Sequence, residues 1–348
     1  MPPAMDERLE QFCAFVAMAS GATSVTQATE SVILDGGAIQ ENWGVTLNII
    51  GGPQAGRYDV VVRMDAPSAV DASHSRTQEF ALLRVAFEAG VTVPEPLWEC
   101  ADDSVLGRPF FVMRRVAGIA AGHRVVRTAR TPDEAQALVI DFATQLARIH
   151  TIRPPEARLD FLDIPEDPPA LAAVRAYRLA LDALGVARPG LEWALRWAEI
   201  TAPPPGDLAL CHHDFRTGNL MVEDHRLTGV LDWEFAAWGD PISDVAWICA
   251  HCWRFGRDDR PVGGIGERAD FYEAYEMSSG RRIDPARVHY WGVMAHIRWA
   301  IIALQQADRH LSGRERNLEL ALTGHVVPEL AFEAVLMTEP EAWPAAAS

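Results

Sequence analysis

His212, Asp214, Asn219 and Asp232 fall within the single stretch "HHDFRTGNLMVEDHRLTGVLD". Asp214 precedes Asn219 by five residues, and Asn219 precedes Asp232 by thirteen. Apolar pieces flank the polar ones: "LALCH" leads in, "NLMV" follows, and "LTGVLDW" comes after the turn "EDHR". A loop followed by a β-hairpin would carry the three polar positions on adjacent backbones, because the longer spacing holds a strand, a turn and a return strand. Such an arrangement suits phosphoryl transfer. That reaction needs an acceptor beside the attacking hydroxyl, which an Asp provides. It also needs hard oxygen ligands for the Mg²⁺ that bridges ATP phosphates, which an Asn carbonyl and a second carboxylate provide. The shorter spacing matches the kinase catalytic-loop pattern H-x-D-x-x-x-x-N. The H-x-D piece alone is a weak signal; the combined string is specific.

The elements that must hold this string differ along the chain. In the first third, "SVILDGGAIQENWGVTLNII" gives two β-branched runs around a polar turn. "GGPQAG" is a second turn, and "YDVVVRM" is a strand in which Val60 and Val62 alternate with Val61 and Arg63. Residues 76–90 follow a helical period with Phe80, Leu83 and Phe87 on one face and Gly90 at the end. "VPEPLWEC" and "RPFFVMRRV" read as two strands around "ADDSVLG". After about residue 116 the pattern becomes helical. Thr131, Pro132 and Glu134 form a helix start with a capping box, followed by the apolar stripe Ala135, Leu138, Val139, Phe142, Leu146 and Ile149. Helical patterns return at 170–184, 190–200, 241–253, 267–278 and 285–308, interrupted by a β segment at 208–235. The tail 338–348 is expected to be poorly ordered. The fold class is therefore α+β in two lobes: an antiparallel-sheet lobe at 1–116 and a mainly helical lobe at 117–348.

A chain of 348 residues can bury two such cores, and nearly half of its residues are apolar. The formal charge of −17 argues against nucleic acid, since phosphate binding needs clustered Lys and Arg. The start of the chain, "MPPAMDERLEQF", lacks a basic region followed by an apolar one, and no run of 18 apolar residues occurs. A cytoplasmic protein with no membrane segment is the expectation. Five cysteines are too few for a disulfide scaffold. Cys249 and Cys252 form a lone C-x-x-C inside a helical pattern, where core packing is favoured over metal or redox chemistry.

The string "HHDFRTGNLMV" with "GVLDWEFAAWGDPISDVAW" resembles the aminoglycoside phosphotransferase family of kinase-like enzymes. More narrowly, it resembles the phosphotransferase-like domain fused to acyl-CoA dehydrogenases. The resemblance extends from about 30 to 310 and is strongest over 210–256. It implies the bilobal protein-kinase-like fold with ATP between the lobes. It also implies Asp214 as the catalytic Asp, Asn219 and Asp232 as the metal ligands, and His212 as a prop of the loop. The family usually has Gly where this chain has His213. Asp240 and Asp244 read as helix-start residues, Asp240 as the N-cap before Pro241. Glu234 is open between a place behind the metal and simple exposure.

A kinase-like first lobe supplies a cation for the phosphates, held by a helix carboxylate. Arg63 stands where Lys is usual, with Glu79 as its partner, and a guanidinium can grip phosphate bidentately. Asn42 and Trp43 are placed at the tip of the phosphate-covering turn 36–44. Residues 112–116, including Met113 and Val116, match the hinge that meets adenine. Trp253 and Arg254 lie toward the acceptor side, with packing favoured as their role. The resemblance points to a hydroxylated small molecule as acceptor: a hydroxyacyl compound or its CoA thioester, with aminoglycosides and amino alcohols as the alternative. A nucleotide-binding module without turnover stays open, and oligomeric state is not readable.

Overall fold

Val60, Val62 and Met64 point to one side of their strand and Val61 and Arg63 to the other, and this alternation builds the middle of a five-stranded antiparallel sheet. The structure, a computed structural model, describes residues 8–34, 40–65 and 73–340. In chain order its elements begin with α1 (Leu9–Ser20), β1 (Ser24–Ile33), β2 (Gln40–Ile50) and β3 (Gly56–Asp65). Next come α2 (Arg76–Glu88), β4 (Pro96–Cys100), the short α3 (Asp103–Leu106) and β5 (Phe110–Arg114). Helices α4 (Gly122–Val125), α5 (Pro132–Ile149), α6 (Pro169–Leu184) and α7 (Pro189–Ile200) lead to β6 (Ala209–Cys211). The hairpin β7 (Leu220–Glu223) and β8 (Arg226–Val230) follows, then β9 (Ala237–Gly239) and α8 (Ile242–Ile248). The chain closes with α9 (Arg268–Ser279), α10 (Pro285–Leu311), α11 (Leu318–Thr323) and α12 (Val327–Met337).

The chain divides into two compact units. The first comprises Met1–Ala121, Ala157–Phe161 and Asn219–Phe235; the second comprises Gly122–Glu156, Leu162–Gly218 and Ala236–Ser348. The division into 1–116 and 117–348 follows chain order, whereas these units do not. The β7–β8 hairpin joins the first because Val230 N donates to Thr92 O at 2.8 Å and Val222 N donates to Ile119 O at 2.9 Å.

In the first unit the sheet order is β1-β2-β3-β5-β4. One face packs on α1, a helix not anticipated from the sequence, through Phe12, Val16, Leu47, Val60, Val62 and Phe110. The opposite face carries Arg63 and Phe111 toward α2, where Phe80 meets Phe111 at 5.8 Å between ring centres. Ser75 and Gln78 close a capping box at the start of α2, and Gly90, at φ +79°, follows its end. Phe80 and Leu83 are buried as expected, but Phe87 is 43% exposed and leaves the core face.

In the second unit the Thr131 capping box and the buried stripe of α5 form as expected. The pattern at 241–253 is not one helix. It stops at Ile248 and resumes as a 3-10 turn at His251–Trp253. Cys249 and Cys252 therefore straddle a break rather than lie within a helix. Helix α10 is the long central element, and α6, α7, α8, α11 and α12 all pack on it. The sequence leads one to expect no membrane-length segment. The run Leu318–Met337, 20 residues, nevertheless has the length and composition of one, with a mean hydropathy of 1.4 over its most apolar 18 residues. It consists of α11, a 3-10 turn at Gly324–Val326 and α12. The end of the chain, 341–348, lies outside the described residues.

Candidate active site

In the first unit, Arg63 on β3 is the centre of a charged cluster. Its Nε donates to Glu79 Oε2 at 3.0 Å, and its Nη2 lies 2.9 Å from Glu79 Oε1. This is the two-pronged grip that a guanidinium makes on a carboxylate. The same Nη2 donates to Asp232 Oδ1 at 2.6 Å. Arg76 also pairs with Glu79, and its Nη2 donates to His74 O at 2.9 Å. Burial works against the charge on Arg63, but Glu79 and then Asp232 more than offset it and raise its pKa. Glu234 is buried, with its carboxyl pKa pushed up by burial and then by the neighbouring charge of Asp232, with Arg63 opposing. It stands behind Asp232 rather than exposed.

Asp232 sits at φ +67°, a left-handed conformation that costs a non-glycine residue about 1–3 kcal/mol and clusters at functional sites. The bend turns its side chain toward Arg63 directly after β8. Asn219 is buried at the start of the same hairpin, and Leu231 N donates to Asn219 O at 2.8 Å. The hairpin thus brings Asn219 and Asp232 side by side, as their spacing predicts. Its turn residues Asp224 and His225 both have positive φ, 46° and 60°, as a tight hairpin connection requires. Asn42 and Trp43 are not at the tip of a turn. Both lie within β2, with Asn42 opposite Arg63 on the same sheet face and Trp43 packed against the core. The β-branched run simply begins earlier than the turn residues suggest. Residues 36–39 of that turn lie outside the described residues. Met113 lies on β5, and Val116 lies beyond its end.

In the second unit, β6 pairs with β9 and launches the loop that bears Asp214. Asp244 holds the beginning of this loop. Its two oxygens accept from the backbone N–H groups of His212 at 2.6 Å and His213 at 2.8 Å. His150 Nε2 lies 3.3 Å from the same carboxylate, and His150 Nδ1 lies 2.7 Å from Tyr275 Oη. Burial opposes the charge of Asp244, but the His150 hydrogen bond and the surrounding imidazoles hold its pKa well below the ordinary range. Thr217 holds the other end by donating to Gly263 O at 2.8 Å. His212 props the turn from inside: its Nδ1 accepts from Asp214 N at 3.2 Å. Asp214 Oδ1 then accepts from Arg216 Nε and from Trp247 Nε1, each at 3.0 Å. Arg216 in turn lies over the Trp253 ring, 4.5 Å from its centre.

His213 adopts φ +58°. Glycine takes that conformation at no steric cost, and an L-residue pays for it. Its ring lies against Gly239, where an added Cβ would come within 3.2 Å of Nε2. Burial first, with the nearby cation Arg298 adding to it, lowers the His213 pKa to about 4. The imidazole is neutral at pH 7.

The family model described as APH, phosphotransferase enzyme family, matches residues 33–281. The chain belongs to this family. Mouse (Mus musculus) acyl-CoA dehydrogenase family member 10 is 29% identical over 80% of this chain, and the match covers 27% of the mouse protein. Chicken (Gallus gallus) acyl-CoA dehydrogenase family member 11 is 32% identical over 50% of the chain and 23% of its own length. The chain thus spans about a quarter of the curated relatives it matches. A candidate aminoglycoside phosphotransferase from Ralstonia eutropha shares the fold with a TM-score of 0.74 at 19% identity, over 95% of this chain and 98% of that one. A choline/ethanolamine kinase family protein from Mesorhizobium loti superposes with a TM-score of 0.59 at 19% identity, over 97% of each chain. The chain thus has the expected bilobal, kinase-like α+β fold.

Several residues of the site escape sequence reasoning. Arg216, Trp247 and Arg298 carry no motif of their own. Arg216 had one available signal, its place two residues after Asp214. Asp240 Oδ1 accepts from Ile242 N at 3.0 Å, so its side chain caps α8 although Pro241 is the terminal residue. Its other oxygen accepts from Arg287 and Trp291. Trp253 packs between Trp247 and Trp299, and Arg254 is turned to Asp258 O. Burial pushes both thiols of the C-x-x-C up, Cys252 to about 12, which leaves them unreactive.

Proposed function

We propose that this chain transfers the γ-phosphoryl group of ATP to a hydroxyl of a small molecule, with Mg²⁺. The observation that carries this reading is the continuous Glu79–Arg63–Asp232 chain, which ties the candidate phosphate-binding cation to a candidate metal ligand through direct contacts. Arg63 holds the phosphates, and Glu79 fixes the guanidinium plane. The backbone near Met113 and Val116 receives the adenine, and Asn42, on the same sheet face as Arg63, borders the phosphates from β2. Asp214 orients the acceptor hydroxyl through its carboxylate and takes the proton as the new P–O bond forms. Trp247 and Arg216 fix its rotamer.

The donor set suits a hard divalent cation. Asn219 and Asp232 offer oxygen ligands only, and the strained backbone of Asp232 aims its carboxylate. When bound, Mg²⁺ held by these two residues supplies positive charge to the transferred phosphate. Relatives named as acyl-CoA dehydrogenase family members support a hydroxyacyl compound or its thioester as acceptor. A nucleotide-binding module without turnover is the second reading. It is favoured by Arg in the usual Lys position with its fork already engaged by Glu79 and Asp232.

The test pairs two measurements. MgATP is expected to raise the melting temperature, and labelled ATP is expected to phosphorylate at least one member of a panel of hydroxyacyl-CoAs, hydroxy acids, aminoglycosides and amino alcohols. A thermal response without product across that panel would select the second reading, and no response to nucleotide would reject both.

A further inference from the structure

The second unit contains a cavity of about 260 Å³ lined by His213, the residue before Asp214, and by Trp247, which hydrogen-bonds to Asp214. Its walls are Tyr177, Trp238, Trp247, Trp291 and Met294, with His213 and Arg298 contributing the polar edges. Trp247 connects the cavity to the reacting centre. Its indole Nε1 donates to Asp214 Oδ1 at 3.0 Å, while its face carries the Arg298 guanidinium at 4.7 Å from the ring centre. One rigid side chain thus sets both the candidate base and a cation.

The charges around this cavity are not balanced. The carboxylate at its edge, Asp240, is neutralised by Arg287 Nε at 2.7 Å and further engaged by Trp291 Nε1 at 2.6 Å. Arg298, by contrast, has no carboxylate partner among the described residues; its contact is the indole face. Every other side chain in the wall is aromatic, aliphatic or neutral. A half-buried guanidinium without a counter-ion in an apolar cavity attracts an anion, because the low dielectric strengthens the pairing and the planar fork matches a carboxylate or phosphate. The same cation repels an ammonium. Aromatic walls alone would also suit a quaternary ammonium, but Arg298 already occupies one face of Trp247 and places a like charge in the same wall.

We infer that the acceptor is an anionic, otherwise apolar hydroxylated molecule, with its anion on Arg298 and its chain along the tryptophans. Arg298 is then a specificity-determining residue. The inference rests on the proposed phosphotransferase reading for the fate of the hydroxyl, but not for binding. A carboxylate on the acceptor itself and a phosphate of a CoA thioester share this chemistry.

Isothermal titration calorimetry without nucleotide separates the two claims. The probes are β-hydroxyoctanoate, its methyl ester, its CoA thioester and the matching amino alcohol. The acid is expected to bind more tightly than the ester or the amine. Arg298→Met is expected to weaken the acid about 10- to 100-fold, the range of one charged hydrogen-bonded contact, and to leave the ester unchanged. Arg298→Lys should restore part of the loss, which a merely structural role would not. A loss for the thioester alone would identify the CoA phosphate as the anion. Equal binding of acid, ester and amine together with no loss of thioester binding in Arg298→Met, or tighter binding of the amine, would overturn the inference even if phosphate transfer occurs. Arg298-dependent binding of the acid without any phosphorylation would instead reject the proposed function and leave this inference standing.

Discussion

Arg63 and Arg298 are both inset arginines, one in each unit, and they are held in opposite ways. Arg63 is clasped by two carboxylates, Glu79 and Asp232, and is buried. Arg298 rests on the Trp247 ring with no carboxylate partner among the described residues. A paired arginine has its direction fixed by the protein and can serve as a rigid part. An unpaired one in an apolar wall keeps its electrostatic demand for a ligand. The difference separates a phosphate-side framework, built to keep geometry constant, from an acceptor side built to select.

The largest effect is expected at Asp214, the residue that the acceptor wall positions. Asp214→Asn retains the shape and one oxygen for Trp247 but cannot take a proton. It should lower kcat by about 10²- to 10⁴-fold with little change in the thermal shift produced by MgATP. Undiminished kcat would remove Asp214 from the chemistry.

Stability measurements separate the two arginines. Glu79→Ala leaves Arg63 and Arg76 buried without their shared carboxylate, which should cost about 3–5 kcal/mol in denaturant unfolding. Arg298→Met forfeits only a stacking contact and should cost about 0.5–1 kcal/mol. Similar losses in the two variants would mean that the arginines do not differ as described.

The Asp214–Asn219–Asp232 string is legible in sequence because its parts are local. Strand alternation and a turn between β7 and β8 are enough to bring Asn219 and Asp232 together. The Thr131 capping box is legible for the same reason. The partner of Arg63 is legible only through resemblance, since Glu79 lies 16 residues away on another element. Nothing local announces that Trp247 reaches back 33 residues to Asp214, or that His150 meets Asp244 across 94. Arg298 looks like an ordinary residue of a buried helix until α10 is packed. Asn42 and Trp43 show the reverse error: polar residues near glycines suggest a turn, but pairing with Arg63 and Val62 extends the strand through them.

His213 sharpens the acceptor side through pH. Its folded pKa is about 4, below the ordinary 6.5, so between those values the unfolded chain binds a proton that the folded chain refuses. Stability from this group is therefore complete above about 6.5 and falls as pH drops toward 4, by up to about 3 kcal/mol. Asp244, Arg298, His212 and His150 face the same imidazole, and His150, also lowered by burial, adds its own loss. His213→Gly should remove the His213 share and shrink the fall across that window, while relieving the left-handed strain at neutral pH. An unchanged pH dependence would show that the ring does not sit neutral in the wall.

The smallest effect supplies the control. Thr131 caps α5 through Glu134 N and touches neither arginine. Thr131→Ala should cost about 1 kcal/mol of stability and leave both kcat and the preference for the acid over its ester intact. A modest destabilisation that leaves selectivity alone means that the loss in Arg298→Met comes from the missing cation. Were Thr131→Ala to erode the same preference, selectivity would be reporting the rigidity of the whole unit, and the contrast between a clasped and an unclasped arginine would lose its functional meaning.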